Sequence, residues 1–220
     1  MQNVYTFKSL ALAGMIALGL IAQGKLAKAS ELETLVVAGG CFWCVESDFE
    51  RVDGVREVIS GYTGGNVSNP TYKQVTGGGT GHYEAVEIQF DPDIVSEETL
   101  LSLFFRSVDP TDAGGQFCDR GESYRTAIFA NSQLQAETAR AVKAKAQKVL
   151  GQTIVTPVLE AGTFYPAEDY HQDYYKGTKL VLTRFGPKRQ SSAYKAYRKA
   201  CGRDARVKEL WGSDAPFVGS

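Results

Sequence analysis

Apolar and polar positions change period along the chain, and each change marks an element. Residues 34 to 38 run apolar almost without a break through Leu35, Val36, Val37 and Ala38. A run of that length, closed by Gly39-Gly40, reads as a strand buried on both faces. Cys41 to about Arg51 follows as a helix, and Val55 to Tyr62 as a second strand. Between Gly61 and Gly81 the chain is rich in Gly, Asn and Thr with Tyr72 in the middle, which predicts a long loop holding one helical turn. Tyr83 to Phe90 alternates and stops at Asp91-Pro92. A helix is signalled next: Ser96 as N-cap, Glu97 and Glu98 in the first turn, Val95 placed to pack on Leu100, and Leu100, Leu101, Phe104, Phe105 and Val108 on one face. Tyr124 to Ala130 reads as a strand, Ser132 to Leu150 as a long helix stopped by Gly151, and Ile154 to Ala161 as a further strand. A helical segment around Glu168 to Tyr175 and a basic helix from about Ser191 to Cys201, closed by Gly202, complete the series. Strands interleave with helices at irregular spacing and with long loops. That favours a mixed α+β sandwich over a doubly wound parallel sheet.

Composition adds an address only at the N-terminus. Residues 1–29 carry Lys8 near the start, an apolar run from Leu10 to Ala22 and Ala27-Lys28-Ala29 as a small-x-small cleavage site. They read as a secretory signal, with an apolar run too short for a comfortable membrane span. Residues 30–220 are then expected to form a single domain with a C-terminal tail, exported and periplasmic, with no stable membrane insertion after cleavage. Loss of Lys8, Lys25 and Lys28 would move the net charge from -1 to -4, which gives no reason to expect nucleic acid as a partner. Both methionines, Met1 and Met15, would leave with the signal, a composition suited to work among oxidants, which convert exposed methionine to its sulfoxide.

Four cysteines remain: Cys41, Cys44, Cys118 and Cys201. In an exported protein two structural disulfides are the plain expectation. A chain of this size with 43% hydrophobic residues does not need such staples, and the Cys41/Cys44 loop is too short to constrain much of an unfolded chain. Cys41 instead sits where a strand passes through a glycine turn into a helix. The positive end of the helix dipole there favours the thiolate, the nucleophilic form. Cys44, one turn on, can close a disulfide with it. A zinc site of all four sulfurs is disfavoured, because zinc ligands usually arrive as two close pairs.

On the alternating strand, Glu84 shares its face with Val86, Ile88 and Phe90, whereas Glu87 points outward. A carboxyl among apolar side chains keeps its proton near neutral pH, as a general acid must, although a solvated place at the strand's frayed start is the simpler alternative. Tyr72 in the long loop and Tyr124, directly after Cys118-Asp119-Arg120-Gly121, are placed to aim hydroxyls into a site. Asp119 also suits a turn. His82 and His171 are the only histidines, and a packing or hydrogen-bonding role suits each better than a Cys-His pair.

Gly40-Cys41-Phe42-Trp43, Gly81-His82-Tyr83-Glu84-Ala85-Val86, Asp119-Arg120-Gly121 with Tyr124-Arg125-Thr126-Ala127-Ile128, and Glu168-Asp169-Tyr170-His171-Gln172 together resemble the peptide methionine sulfoxide reductase A family over about residues 34 to 176. The resemblance implies a two-layer α+β sandwich with a ferredoxin-like core and a mixed sheet. It also implies that Cys41 attacks the sulfur of methionine-S-sulfoxide, free or in oxidised proteins, while Glu84, helped by Tyr72 and Tyr124, protonates the oxygen. Phe42 and Trp43 would hold the S-methyl group, and Asp119 would orient substrate or solvent. Cys41 would become a sulfenic acid, resolved to a disulfide that a thioredoxin-like protein reductant reduces, with no metal and no organic cofactor. Many members have Gly where Cys44 stands here, so the resolver is either Cys44, favoured by proximity, or Cys201, favoured by a mobile tail beyond Gly202. Cys118 has no assigned role. An exported enzyme would need its reductant from a membrane carrier or a periplasmic thioredoxin-like domain.

Two other classes share parts of this pattern. A thioredoxin-type thiol-disulfide oxidoreductase would use the Cys41/Cys44 pair without needing Glu84 or the tyrosines. A binding module held by two disulfides would have no accessible thiol.

Overall fold

In the computed structural model residues 31–219 are described, so the expected signal segment at 1–29 lies outside the described residues. The apolar run becomes β1 (Glu33–Gly39), central in a six-stranded sheet ordered β7-β6-β1-β3-β2-β8. The other strands are β2 (Val55–Thr63), β3 (Tyr83–Phe90), β6 (Thr126–Ala130), β7 (Val158–Glu160) and β8 (Tyr165–Pro166), and β1 itself pairs with β3 and β6. Only β6 and β7 run parallel; β1, β2, β3, β6 and β8 pair antiparallel, so the sheet is mixed and the fold α+β. One face packs against α1 (Phe42–Phe49), α3 (Glu97–Ser107) and α4 (Gln133–Leu150) in a core that includes Leu35, Val37, Val86, Ile88, Leu100, Phe104 and Val142. The other face holds a smaller cluster of Ala38, Tyr83, Ala85, Ala127 and Phe129, closed by Phe164. Strand β3 shows why both clusters exist: its even positions feed the helical face and Tyr83 and Ala85 the other.

Local signals set the helix ends. Ser96 accepts the Thr99 N–H at 3.2 Å and Ser132 accepts the Gln135 N–H at 3.2 Å, while Gly151 closes α4 in the left-handed region at φ 68°. The short α2 (Tyr72–Gly77) supplies the helical turn expected in the long loop, capped reciprocally by Thr71 and Gln74. Two small pairs follow: β4 (Gly115–Gln116) with β5 (Asp119–Arg120), and the hairpin of β9 (Leu180–Thr183) with β10 (Gly186–Arg189). Helices α5 (Gln190–Cys201) and α6 (Arg203–Trp211) end the fold.

Several elements differ from their sequence expectation for identifiable reasons. The strand expected over Ile154 to Ala161 is only Val158–Glu160, since Pro157 has no N–H to give a ladder. The helix expected at Glu168 to Tyr175 is a turn followed by a 3-10 turn at Tyr174–Lys176: Asp173 takes φ 57°, and Gln172 is drawn onto β2, accepting the Ser60 N–H at 2.9 Å and donating to the Ser60 carbonyl at 2.8 Å. Tyr124 closes a 3-10 turn, Glu122–Tyr124, ahead of β6 rather than opening the strand. The expected mobile tail is folded: Gly202 in the left-handed region links α5 directly to α6, whose Arg203, Val207 and Trp211 are buried, and Phe217 packs on the core.

Candidate active site

The site forms where β1 hands over to α1. Gly40 makes the turn at φ 81°, and a Cβ there would lie 2.5 Å from Gln116 Cβ, so only glycine passes. Cys41 occupies the N-cap position of α1, half-buried, and its carbonyl accepts the Cys44 N–H at 3.1 Å. From β3, Glu84 reaches this helix start and its Oε2 accepts the Phe42 N–H at 3.1 Å, occupying one of the free donors of the first turn. Glu84 is 1% exposed and its Oε1 has no hydrogen-bond partner. Burial pushes its carboxyl up to about 8, opposed by the Phe42 N–H and by the nearby Tyr124 hydroxyl. Glu84 is thus buried on the face that strand alternation gives it.

A cavity of about 240 Å³ opens over these groups, and every residue given a role from the sequence lines it. Phe42, Trp43, Cys44, Tyr72, Asp119, Tyr124 and Cys201 surround Cys41 and Glu84 there. Tyr72 is delivered by α2, whose start is tied down because the Tyr72 N–H donates to Glu168 Oε1 at 3.0 Å. Burial raises the pKa of both tyrosine hydroxyls, so they remain proton donors. The Phe42 ring lies 6.0 Å from Tyr62 and 5.1 Å from His171; Trp43 stacks on Tyr174 at 3.8 Å with an interplanar angle of 6°. Asp119, on β5, is raised by burial and eased by Arg203 and Arg184.

Charges from distant residues act on the two thiols beside the helix terminus. Cys41 is pushed well up, first by the hydrogen bond it donates to Cys44, then by burial and the negative neighbours Cys44, Glu84 and Asp119. Cys44, 8% exposed, falls to about 7: the Cys41 hydrogen bond and the charges of Arg203 and Arg198 outweigh its burial. The two thiols titrate as a pair, and Arg203 and Arg198 draw its negative charge towards Cys44. The helix terminus loses to nearby full charges, which act more strongly than a partial one.

Arg198 and Arg203 carry no role in the sequence reading, yet both line the cavity and both are buried. Arg198 donates to Asp48 Oδ1 at 2.8 Å, to the Tyr194 hydroxyl at 3.0 Å and to Asp204 Oδ1 at 2.9 Å. Arg203 donates to the Gly39 carbonyl at 3.3 Å and lies 4.7 Å from the centroid of the Phe117 ring. Asp48 stands four residues after Cys44 on α1, so its charge on the same helix face was the available signal. Cys118, unassigned from the sequence, is disulfide-bonded to Cys201 across 83 residues with a Cα–Cα distance of 4.8 Å, while Cys41 and Cys44 are free. The cysteines thus divide into a free pair and a bonded pair rather than one four-sulfur cluster, and a module with two disulfides loses one of its bridges.

The histidines lie outside the cavity lining. The Gly65 N–H donates to His82 Nδ1 at 3.2 Å, which leaves Nε2–H to donate to the Val67 carbonyl at 2.8 Å, a tie within the long loop. His171 is buried among rings, 4.3 Å from Tyr72, and burial lowers it to about 4, so it is neutral.

An antiparallel-rich α+β sheet that sets a cysteine pair beside a dry carboxyl and two tyrosine hydroxyls defines a thiol-dependent oxidoreductase. The family model of peptide methionine sulfoxide reductase matches residues 33–213, and the chain belongs to the peptide methionine sulfoxide reductase A family. It is 52% identical over 189 residues to peptide methionine sulfoxide reductase MsrA 2 of Rhizobium meliloti, covering 86% of this chain and 88% of that protein. The Bacillus licheniformis peptide methionine sulfoxide reductase MsrA is 46% identical, covering 84% and 96%. Among solved structures, methionine sulfoxide reductase A of Corynebacterium diphtheriae superposes with a TM-score of 0.62 at 35% identity, covering 66% of this chain and 74% of that one.

Proposed function

We infer that the protein reduces methionine-S-sulfoxide, free or in oxidised proteins, to methionine through the thiol of Cys41. The observation that carries the reading is Glu84: one carboxyl oxygen is fixed to the helix start that presents Cys41, and the other stands unpartnered in a buried site. Phe42 and Trp43 receive the S-methyl group, and Glu84 protonates the sulfoxide oxygen with Tyr72 and Tyr124 donating hydrogen bonds to it. As the Cys41 sulfur engages the substrate sulfur, its proton passes to the Cys44 thiolate. Methionine leaves, and Cys41 holds the oxygen as a sulfenic acid. Cys44 then attacks Cys41, water departs with the hydroxyl, and a Cys41–Cys44 disulfide remains. Asp119 orients substrate or solvent.

Recycling continues through the second pair. With Cys118 and Cys201 reduced, Cys201 attacks Cys44 and frees the Cys41 thiolate; Cys118 then attacks Cys201 and frees Cys44. The two electrons lost by Cys118 and Cys201 have restored Cys41 and Cys44, and the exposed Cys118 offers the new bridge to a thioredoxin-like reductant. The reaction needs neither metal nor organic cofactor. The resemblance supports a two-layer sandwich with a ferredoxin-like core, and the signal-like sequence of residues 1–29 supports a periplasmic location with a membrane-fed or periplasmic reductant.

The purified protein should reduce N-acetylmethionine sulfoxide with dithiothreitol, and Cys41→Ser should abolish turnover. Reduction of insulin disulfides without any loss of sulfoxide would transfer the Cys41/Cys44 pair to a thioredoxin-type oxidoreductase.

A further inference from the structure

The β9–β10 hairpin pairs with no other strand among the described residues and borders the catalytic cavity. Val181 on its inner side packs against the cluster of Cys44, Tyr174, Ala193 and Tyr194. Leu180 and Leu182 point the other way and are 73% and 86% exposed, with Phe185 at the tip 41% exposed. Leu182 also lines the cavity, which places this apolar ridge at its mouth. The tip is fixed rather than loose: Phe185 packs 5.6 Å from Tyr197, and the Arg184 guanidinium lies 4.9 Å from the Phe185 ring centroid and 5.1 Å from that of Tyr197. Arg184 also eases the charge of Asp119 inside the site.

Exposed apolar side chains that are held in place beside an active site mark a contact surface rather than core. Free methionine sulfoxide would be contained by the cavity and would leave the ridge uncovered. Leu180 and Leu182 are separated by two residues on one strand face, about 6.6 Å, which is also the spacing of alternate side chains in any extended chain. Residues 178–190 carry Lys179, Arg184, Lys188 and Arg189 and no acidic residue, in a protein whose net charge is -1. Apolar contact with a basic surround favours a partner of apolar and acidic composition.

We propose that the β9–β10 hairpin is a docking ridge for an extended, unfolded stretch of oxidised polypeptide, whose apolar and acidic residues flanking the methionine sulfoxide lie on Leu180, Leu182 and the basic side chains. This rests on the reading of the protein as a methionine sulfoxide reductase. It makes the enzyme favour oxidised methionines that unfolding has exposed within apolar segments over the free amino acid.

The test compares three substrates with dithiothreitol as reductant: N-acetylmethionine sulfoxide, a blocked pentapeptide with leucines beside the sulfoxide and glutamates at its ends, and one with glycines and lysines in those places. The leucine-glutamate peptide should exceed the glycine-lysine peptide in kcat/KM by about ten-fold. In Leu180→Ser/Leu182→Ser that ratio should fall towards unity, and Lys179→Glu/Arg189→Glu should reduce it while leaving the apolar ridge in place. Equal use of both peptides by the unaltered enzyme overturns the proposal. It is also overturned if the serine variant slows turnover only when a thioredoxin-like protein replaces dithiothreitol, or if that variant turns a dimer into a monomer in sedimentation, since the ridge would then receive the reductant or a second copy. Failure to reduce N-acetylmethionine sulfoxide at all would instead defeat the reductase reading.

Discussion

Glu84 owes its retained proton to its strand. Alternation along β3 turns it towards the helical face with Val86, Ile88 and Phe90, and desolvation there costs the charged form more than the Phe42 N–H returns. Glu84→Gln should lower kcat/KM for N-acetylmethionine sulfoxide by about 10²- to 10⁴-fold while Cys41 remains open to alkylation. The pH profile of kcat/KM should be a bell. Glu84 loses its proton as pH rises through about 8, and Cys44 loses its ability to take the Cys41 proton as pH falls through about 7. In Glu84→Gln the residual rate should lack the alkaline limb; a limb that stayed at the same pH would assign it to another group. Cys41, Glu84, Tyr72, Tyr124 and Asp119 were legible one by one, because each follows from a local pattern or from the resemblance. Which thiol ionises was not, because Arg198 and Arg203 approach Cys44 from more than a hundred residues away.

Elements read well where their ends are built locally. Ser96, Ser132, Gly151 and Gly202 stop or start helices with their own side chains or their own φ, and each was placed from sequence. Elements whose shape depends on partners read poorly, as at Gln172, whose side chain is spent on the Ser60 backbone, and in α6, whose Arg203 and Trp211 are drawn into the interior. The contact between α1 and α5 joins the apolar cluster of Cys44, Ala193 and Tyr194 to the buried Arg198–Asp48 pair, at 5% and 1% side-chain exposure. Arg198 is also paired with Asp204 and bonded to the Tyr194 hydroxyl, so losing Asp48 leaves its charge partly compensated. Asp48→Ala should destabilise the protein by about 1–3 kcal/mol, a fall in Tm of several degrees in thermal denaturation, and Asp48→Ala/Asp204→Ala by more. An unchanged Tm in the double variant would mean that α5 is held by its apolar contacts alone.

Across the whole molecule, the fold gathers into one cavity cysteines from the start of α1 and from the end of α5, the latter bonded to the β4–β5 turn. Acting in series, the pairs give a stoichiometry. Fully reduced enzyme mixed with excess sulfoxide and no reductant should release about two methionines per chain, against about one for Cys118→Ser/Cys201→Ser. Cys44→Ser should also stop at about one, with Cys41 left as a sulfenic acid; a value of about two there would make Cys201 the direct resolver. Mass spectrometry of the products should find Cys118–Cys201 bridged first and Cys41–Cys44 second. From the sequence alone came the α+β class, the ends of α3 and α4, the strand–turn–helix that lifts Cys41, and the dry face of Glu84. All of these are encoded over a few neighbouring residues, by period, capping and turn chemistry. Tertiary structure alone decided the pull of Arg198 and Arg203 on Cys44, the partner of Cys118, the folding of the tail and the ridge at the cavity mouth. Those are set by burial and by charges brought together through space, and neither leaves a mark in local spacing.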